Sequence, residues 1–124
     1  MNKIEFAESF KKRTKSFAIK IIKLNQKLPK TGEAKIIGNQ LVRAASSVAS
    51  NYRAVCRTRS DKEFFSKISV VAEEADESLF WLEVLVEAKI YNVEAELMQE
   101  ATEILAVMAN FRKTAKENRS TQQF

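Results

Sequence analysis

Apolar residues recur along this chain at steps of three, four and seven, and four separate stretches carry that rhythm. In the first, Phe10, Phe17 and Leu24 run parallel to Thr14, Ile21 and Leu28, which predicts a helix over about 9–27 with one apolar stripe. Its other face carries Lys11, Lys12, Lys15, Lys20, Lys23 and Lys27. Leu28-Pro29-Lys30-Thr31-Gly32 breaks the pattern, because Pro and Gly both disfavour continuation. A second helix is predicted over about 33–57, with Ile37, Leu41, Ala44, Ala45, Val48, Tyr52 and Val55 on its buried side. Ser60 followed three residues later by Glu63 is the pattern of a capping box and opens a third helix, over about 61–88. Its stripe is Phe65, Ile68, Ala72, Ala75, Leu79, Leu82 and Val86. Beyond the short link Lys89-Ile90-Tyr91-Asn92, a fourth helix is predicted over about 93–116, with Leu97, Ala101, Ile104, Met108, Phe111 and Ala115 facing inward. The polar tail ENRSTQQF is expected to fray.

Four amphipathic helices with short links predict one all-α domain, an up-down antiparallel four-helix bundle. One segment does not fit a lone bundle. FWLEVLV, from Phe80 to Val86, is apolar nearly all round, whereas a helix on the rim needs only one apolar face. Phe80, Trp81 and Leu85 are therefore expected at a contact between copies of the chain.

Composition narrows the chemistry. The 124 residues contain two glycines and one proline, too few for the many turns of a strand-rich fold. No apolar run approaches the ~20 residues that span a bilayer, and the first residues lack a secretory h-region. A single cysteine forms no internal disulfide, which fits a cytoplasmic protein without membrane partners. There is no histidine. That removes the commonest general base, the Ser-His and Cys-His nucleophile pairs and the usual helical di-metal motif. The reading is of a protein without catalytic residues, metal or cofactor. The run Glu73-Glu74-Ala75-Asp76-Glu77 reads as a solvated face or as partners for basic side chains, with an all-carboxylate magnesium site as the sharper alternative. Cys56 reads as a small buried hydrophobe, and the alternative is a thiol activated by Arg53 and Arg57. Asn51, at the edge of its stripe, is a candidate for setting the register of a helix pair.

Charge is distributed unevenly. Residues 1–62 hold 15 Lys/Arg and 4 Asp/Glu, a net of +11; residues 63–124 hold 6 and 12, a net of −6. Basic helices packed beside acidic ones would account for this, and so would a basic face aimed at phosphates. The candidate contacts are Arg43, Arg53, Arg57 and Arg59 with Lys11, Lys12 and Lys15, because Arg grips phosphate bidentately and Lys adds diffuse positive charge. Among these residues run the small ones from Ala44 to Ser50, which read as a tight packing seam.

Three motifs carry a resemblance: QL-x-RAA-x-S-x-x-x-N over Gln40 to Asn51; R-x-R-S-x-x-E-F in Arg57, Arg59, Ser60, Glu63 and Phe64; and EEADES-x-x-WLE over Glu73 to Glu83. Together they make the chain resemble the four-helix-bundle proteins encoded in intervening sequences of 23S rRNA genes, a family that includes the accessory variability determinant of diversity-generating retroelements. Tyr52-Arg53-Ala54 stands where many members have Ala-Glu-Gly, which marks a subgroup. The resemblance implies a bacterial cytoplasmic bundle, often a ring-shaped homopentamer. In the retroelement branch the ring is basic and associates with a reverse transcriptase and with RNA or DNA. The alternative is a self-assembling scaffold or protein-interaction module with no nucleic-acid role.

Overall fold

The computed structural model describes residues 1–122. Four helices follow one another: α1 (Lys3–Gln26), α2 (Gly32–Val55), α3 (Asp61–Glu87) and α4 (Ala95–Gln122). Each packs against its sequence neighbours in an up-down bundle, and α4 approaches α1 less closely. Their inward stripes join in one core.

Three helix starts are set by capping side chains. Asn2 accepts from the Glu5 N–H at 2.8 Å, Thr31 from Ala34 at 3.3 Å and Ser60 from Glu63 at 3.1 Å. Each satisfies one of the unpaired amides of a first helical turn. The first of these places the start of α1 six residues before the expected Ser9. The signal was present, since Asn2 with Glu5 three residues on is itself a capping pattern. Gly32, expected as a breaker, is instead the first residue of α2. At the other end α4 continues to Gln122, through most of the tail expected to fray; the last two tail residues, 123 and 124, lie outside the described ones.

The end of α3 is a Schellman turn. Lys89 N–H donates to the Val86 carbonyl at 3.0 Å and Ile90 N–H to that of Leu85 at 3.0 Å, with Lys89 at φ 58°. A side chain in that left-handed region costs about 1 kcal/mol relative to glycine. Lys89→Gly is therefore expected to stabilise the protein by roughly 0.5–1 kcal/mol in urea denaturation, with an unchanged m-value.

The stripes of α1 and α2 are seated as expected, with Phe10, Thr14, Phe17, Ile21, Leu24 and Leu28 all buried on α1 and the following link, while on α4 Ala101, Ile104, Met108 and Ala115 are buried and Leu97 and Phe111 lie at the edge. On α3 the buried set is Ile68, Val71, Ala72, Ala75, Ser78, Leu82 and Leu85. Phe65 and Leu79 lie at its edge, and Val86, expected inside, is 39% exposed. Lying between α2 and α4, α3 buries a wider arc than a single row of apolar residues. The small residues of α2 do form a seam. Ala44 and Ala45 are fully buried, and a Cβ placed on Gly38 would stand 2.0 Å from Asn25 Oδ1 of α1. Asn51 does not pair helices: its amide donates to the Ser47 carbonyl (3.0 Å) and hydroxyl (2.8 Å) of its own helix. Cys56 is exposed, because α2 ends at Val55 and the residue caps the helix beyond the core.

The α1–α4 seam is closed by charge and by rings. Arg13 donates to both oxygens of Glu100 at 2.6–3.0 Å and to Glu103 at 3.0 Å, and its guanidinium lies 5.7 Å from the Phe10 ring centre. Hydrogen bonding to Glu100 is the chief cause that raises the Arg13 pKa further above its ordinary value. Such a forked pair is the strong form of ion pair.

Candidate nucleic-acid interface

On α1, Glu8, Lys11, Lys12, Lys15 and Ala18 follow one another at helical spacing along one edge. On α2, Ser46, Ala49, Ser50 and Arg53 do the same, and Arg57 follows just past the helix end. The helices are antiparallel neighbours, so the two edges face each other across an open groove of about 500 Å³. Ala18, Ser46 and Ala49 are too small to fill the space between the helices. The small residues thus serve twice: Ala44 and Ala45 face the core, and the next positions round the helix line a trough. Lysines stand on one wall and arginines on the other. The α1 edge from Glu8 to Ala18 measures about 15 Å at 1.5 Å rise per residue.

The groove therefore gathers five cations and one carboxylate, a formal charge of +4. The carboxylate is answered by Lys11 Nζ at 2.6 Å from Glu8 Oε1. That hydrogen bond, with the charges of Lys11 and Lys12, holds the Glu8 carboxyl below its ordinary range. Arg53 and Arg57 are exposed. A row of flexible cations above a shallow floor suits a chain of phosphates better than a compact anion.

Two of the arginines proposed from sequence lie elsewhere. Arg43 turns toward α3, where its guanidinium donates to Glu74 at 3.1 and 3.3 Å and to Glu77. Bonding to Glu77 is the main cause that raises its pKa further. Its charge is compensated within the chain, which removes it from the basic set. Arg59 sits in the α2–α3 link, where its backbone N–H donates to Glu63 Oε2 at 3.3 Å, and its side chain does not line the groove. The acidic run is explained at the same time. Glu74 and Glu77 serve Arg43, Glu77 also accepts from Trp81 Nε1 at 3.1 Å, and Glu73 comes within 4.0 Å of Arg112 on α4.

The residues expected at a contact between copies also separate. Leu85 is fully buried in the chain's own core and has no surface to offer a partner. Trp81 is half-buried, held by Glu77 and packed against the core. Phe80 is 51% exposed, with its ring 4.9 Å from that of Trp81 in an edge-on arrangement. Among the described residues no helix is long and apolar enough to cross a membrane.

A site that sequence did not suggest lies where the start of α1, the end of α2, the start of α3 and the middle of α4 meet. Phe6, Tyr52, Val55, Phe64, Val107 and Phe111 line an open, mostly apolar depression of about 720 Å³, together with Asn2, Lys3, Cys56 and Asn110. Its rings connect: Phe6 stacks on Phe10 at 5.4 Å and meets Phe111 edge-on at 5.6 Å, while Phe10 meets Tyr52 at 5.1 Å. Burial, and then the Cys56 thiol beside it, pushes the Tyr52 phenol above its ordinary range, so the ring stays uncharged. Only Phe6 with Phe10 one turn later could have signalled this, and that spacing also describes a core.

Comparison with known proteins agrees with the fold. A crystal structure of a protein of unknown function from the S23 ribosomal protein family, from Bacteroides thetaiotaomicron, is similar with a TM-score of 0.75 and 25% identity, over 83% of this chain and 97% of that one. No curated protein is significantly similar. The family model of the 23S rRNA-intervening sequence protein matches residues 9–110, all of α2 and α3 with most of α1 and the first half of α4, and the chain belongs to that family.

Proposed function

We propose that the protein is a non-enzymatic, nucleic-acid-associated bundle that holds RNA or DNA by its phosphates in the α1–α2 groove. The observation that supports this is the convergence of Lys11, Lys12, Lys15, Arg53 and Arg57 on one open trough, while Arg13 and Arg43 are neutralised elsewhere. Phosphate contacts carry little sequence information, so binding is to many sequences alike. The copies self-associate in this reading, as the homopentamer that the family resemblance implies, and each adds one groove. Several weak contacts on a single polyanion then act at high effective concentration. The protein works in the cytoplasm as an accessory factor to a reverse transcriptase.

A titration of labelled nucleic acid at several salt concentrations tests the reading. Log affinity is expected to fall with log salt at a slope of about −0.9 per phosphate neutralised on duplex DNA. Absence of binding at low salt sinks it. The second reading, a self-assembling scaffold without nucleic acid, then stands in front, and it rests on the exposed Phe80 beside Trp81 on the outer side of α3.

A further inference from the structure

The α3–α4 side of the bundle carries another open groove, of about 500 Å³, opposite the cationic one. Its floor is Phe65, Ala72, Leu105 and Ala109, two large apolar residues and two small ones. Its walls differ in sign. Glu73 and Asp76 stand on α3, and Arg112, Lys113 and Lys116 on α4, all five exposed. Glu73 comes within 4.0 Å of Arg112, so acid and base stand at the same level along the antiparallel pair. The lined stretches, Phe65 to Asp76 and Leu105 to Lys116, both measure about 16 Å at 1.5 Å rise per residue. Among the described residues, Asp76, Lys113 and Lys116 form no ion pair within the chain. One turn beyond Asp76 on α3 stands the exposed Phe80.

We propose that this face is a two-fold contact between copies of the chain, in which α3 of each copy lies on α4 of the other. A face with walls of opposite sign matches itself under one operation, a half turn about an axis running along the groove. That rotation exchanges the two walls and keeps every residue at its own level, so the contact is isologous. Glu73 and Asp76 of one copy then meet Arg112, Lys113 and Lys116 of the other, and symmetry repeats the row on the far side. A half turn about an axis across the groove sets acid on acid and base on base instead. Between the two charged rows the apolar floors of both copies face each other. Ala72 and Ala109 let the opposing helices approach closely, and Phe65 and Leu105 supply apolar surface to bury. The contact is independent of the phosphate-binding reading and goes beyond it. It leaves the cationic α1–α2 groove of each copy facing outward, at opposite ends of the pair. Any further contact that closes a ring then yields an even number of copies.

The experiment reads mass by sedimentation equilibrium and native mass spectrometry. The parent is expected to give an even number of copies. Asp76→Lys sets a base on the acidic wall, and Lys113→Glu with Lys116→Glu sets acids on the basic one. Each variant alone is expected to pair at least about tenfold more weakly than the parent, because like charges then face each other in both rows. An equimolar mixture of the two is expected to recover pairing, as pairs holding one copy of each, because every lysine at these positions then meets a carboxylate. Ala109→Arg, at an exposed position of the floor, fills the groove and is expected to abolish pairing. Circular dichroism melts confirm that the variants are folded. A parent that stays single at high micromolar concentration or assembles in an odd number overturns the inference. So do folded variants that pair as the parent does, or a mixture that pairs no better than its components. The nucleic-acid titration that tests the phosphate-binding reading is decided separately, by salt dependence at the opposite groove.

Discussion

Arg53→Glu combined with Arg57→Glu is expected to lower affinity for every nucleic acid by about a hundredfold at low salt, since each reversal removes a phosphate contact and adds a repulsion. The two changes leave Lys11, Lys12 and Lys15 facing Glu8 and two new carboxylates, so the groove charge falls from +4 to zero. Both arginines are exposed, one in the last turn of α2 and one beyond it, and the core is untouched. Thermal stability should therefore hold to within about 0.5 kcal/mol, as for surface changes generally. The informative control is Arg43→Gln. The substitution removes one positive charge, against four units for the double reversal, from a guanidinium already bound to Glu74 and Glu77. Its loss is expected to leave both affinity and salt slope unchanged. If Arg43→Gln costs a quarter or more of the logarithmic loss of the double reversal, affinity follows net charge and the groove is not the site. Filter binding or fluorescence anisotropy at low and moderate salt measures both.

Phe17→Ala is expected to destabilise the bundle by about 3–5 kcal/mol, the usual cost of emptying a buried aromatic site. Phe17 is 1% exposed and lies in the core stripe of α1. Four helices held at fixed spacing collapse poorly around such a void, so the cost should fall toward the upper end. Phe80→Ala removes the same atoms from a ring that is 51% exposed, and the expected change in the stability of the single chain is about 1 kcal/mol or less. Its effect belongs to self-association, which it should weaken in proportion to the area that Phe80 buries between copies. Chemical denaturation of both variants, with light scattering across protein concentration, separates the two terms. A Phe80→Ala protein as destabilised as Phe17→Ala would place that ring in the core; one that assembles like the parent would place the contact elsewhere.

The two phenylalanines show how far local pattern reaches. The spacing of Phe10, Phe17 and Leu24 sufficed to seat α1, because a stripe at helical period has one way to face inward. The same logic seated the apolar row of α2 and most of that of α4. The cap at Ser60 was legible because a capping side chain bonds within its own first turn, whereas the cap at Thr31 was read only as part of a break. Pattern was less informative on α3, where nearly every position from Phe80 to Val86 is apolar and periodicity no longer selects a face. Which of them is buried depends on the rotation of α3 between α2 and α4, and that placed Leu85 inside and Phe80 outside.

The candidate site divides in the same way. Residue types and their helical edges were written in the sequence; of the seven basic residues named from it, Lys11, Lys12, Lys15, Arg53 and Arg57 line one groove, and Arg43 and Arg59 do not. Whether an arginine is free is a property of what stands across from it. Arg43 lies 31 and 34 residues from the carboxylates that hold it, and only the packing of α2 on α3 brings them together. The aromatic depression was the least legible feature, since its wall combines residues of all four helices. Local sequence determined the helices, their caps and their inward faces, because those depend on neighbours one turn away. Tertiary structure alone decided the neutralised charges, the exposed ring and the aromatic depression, because each depends on distances between helices that no single stretch of chain encodes.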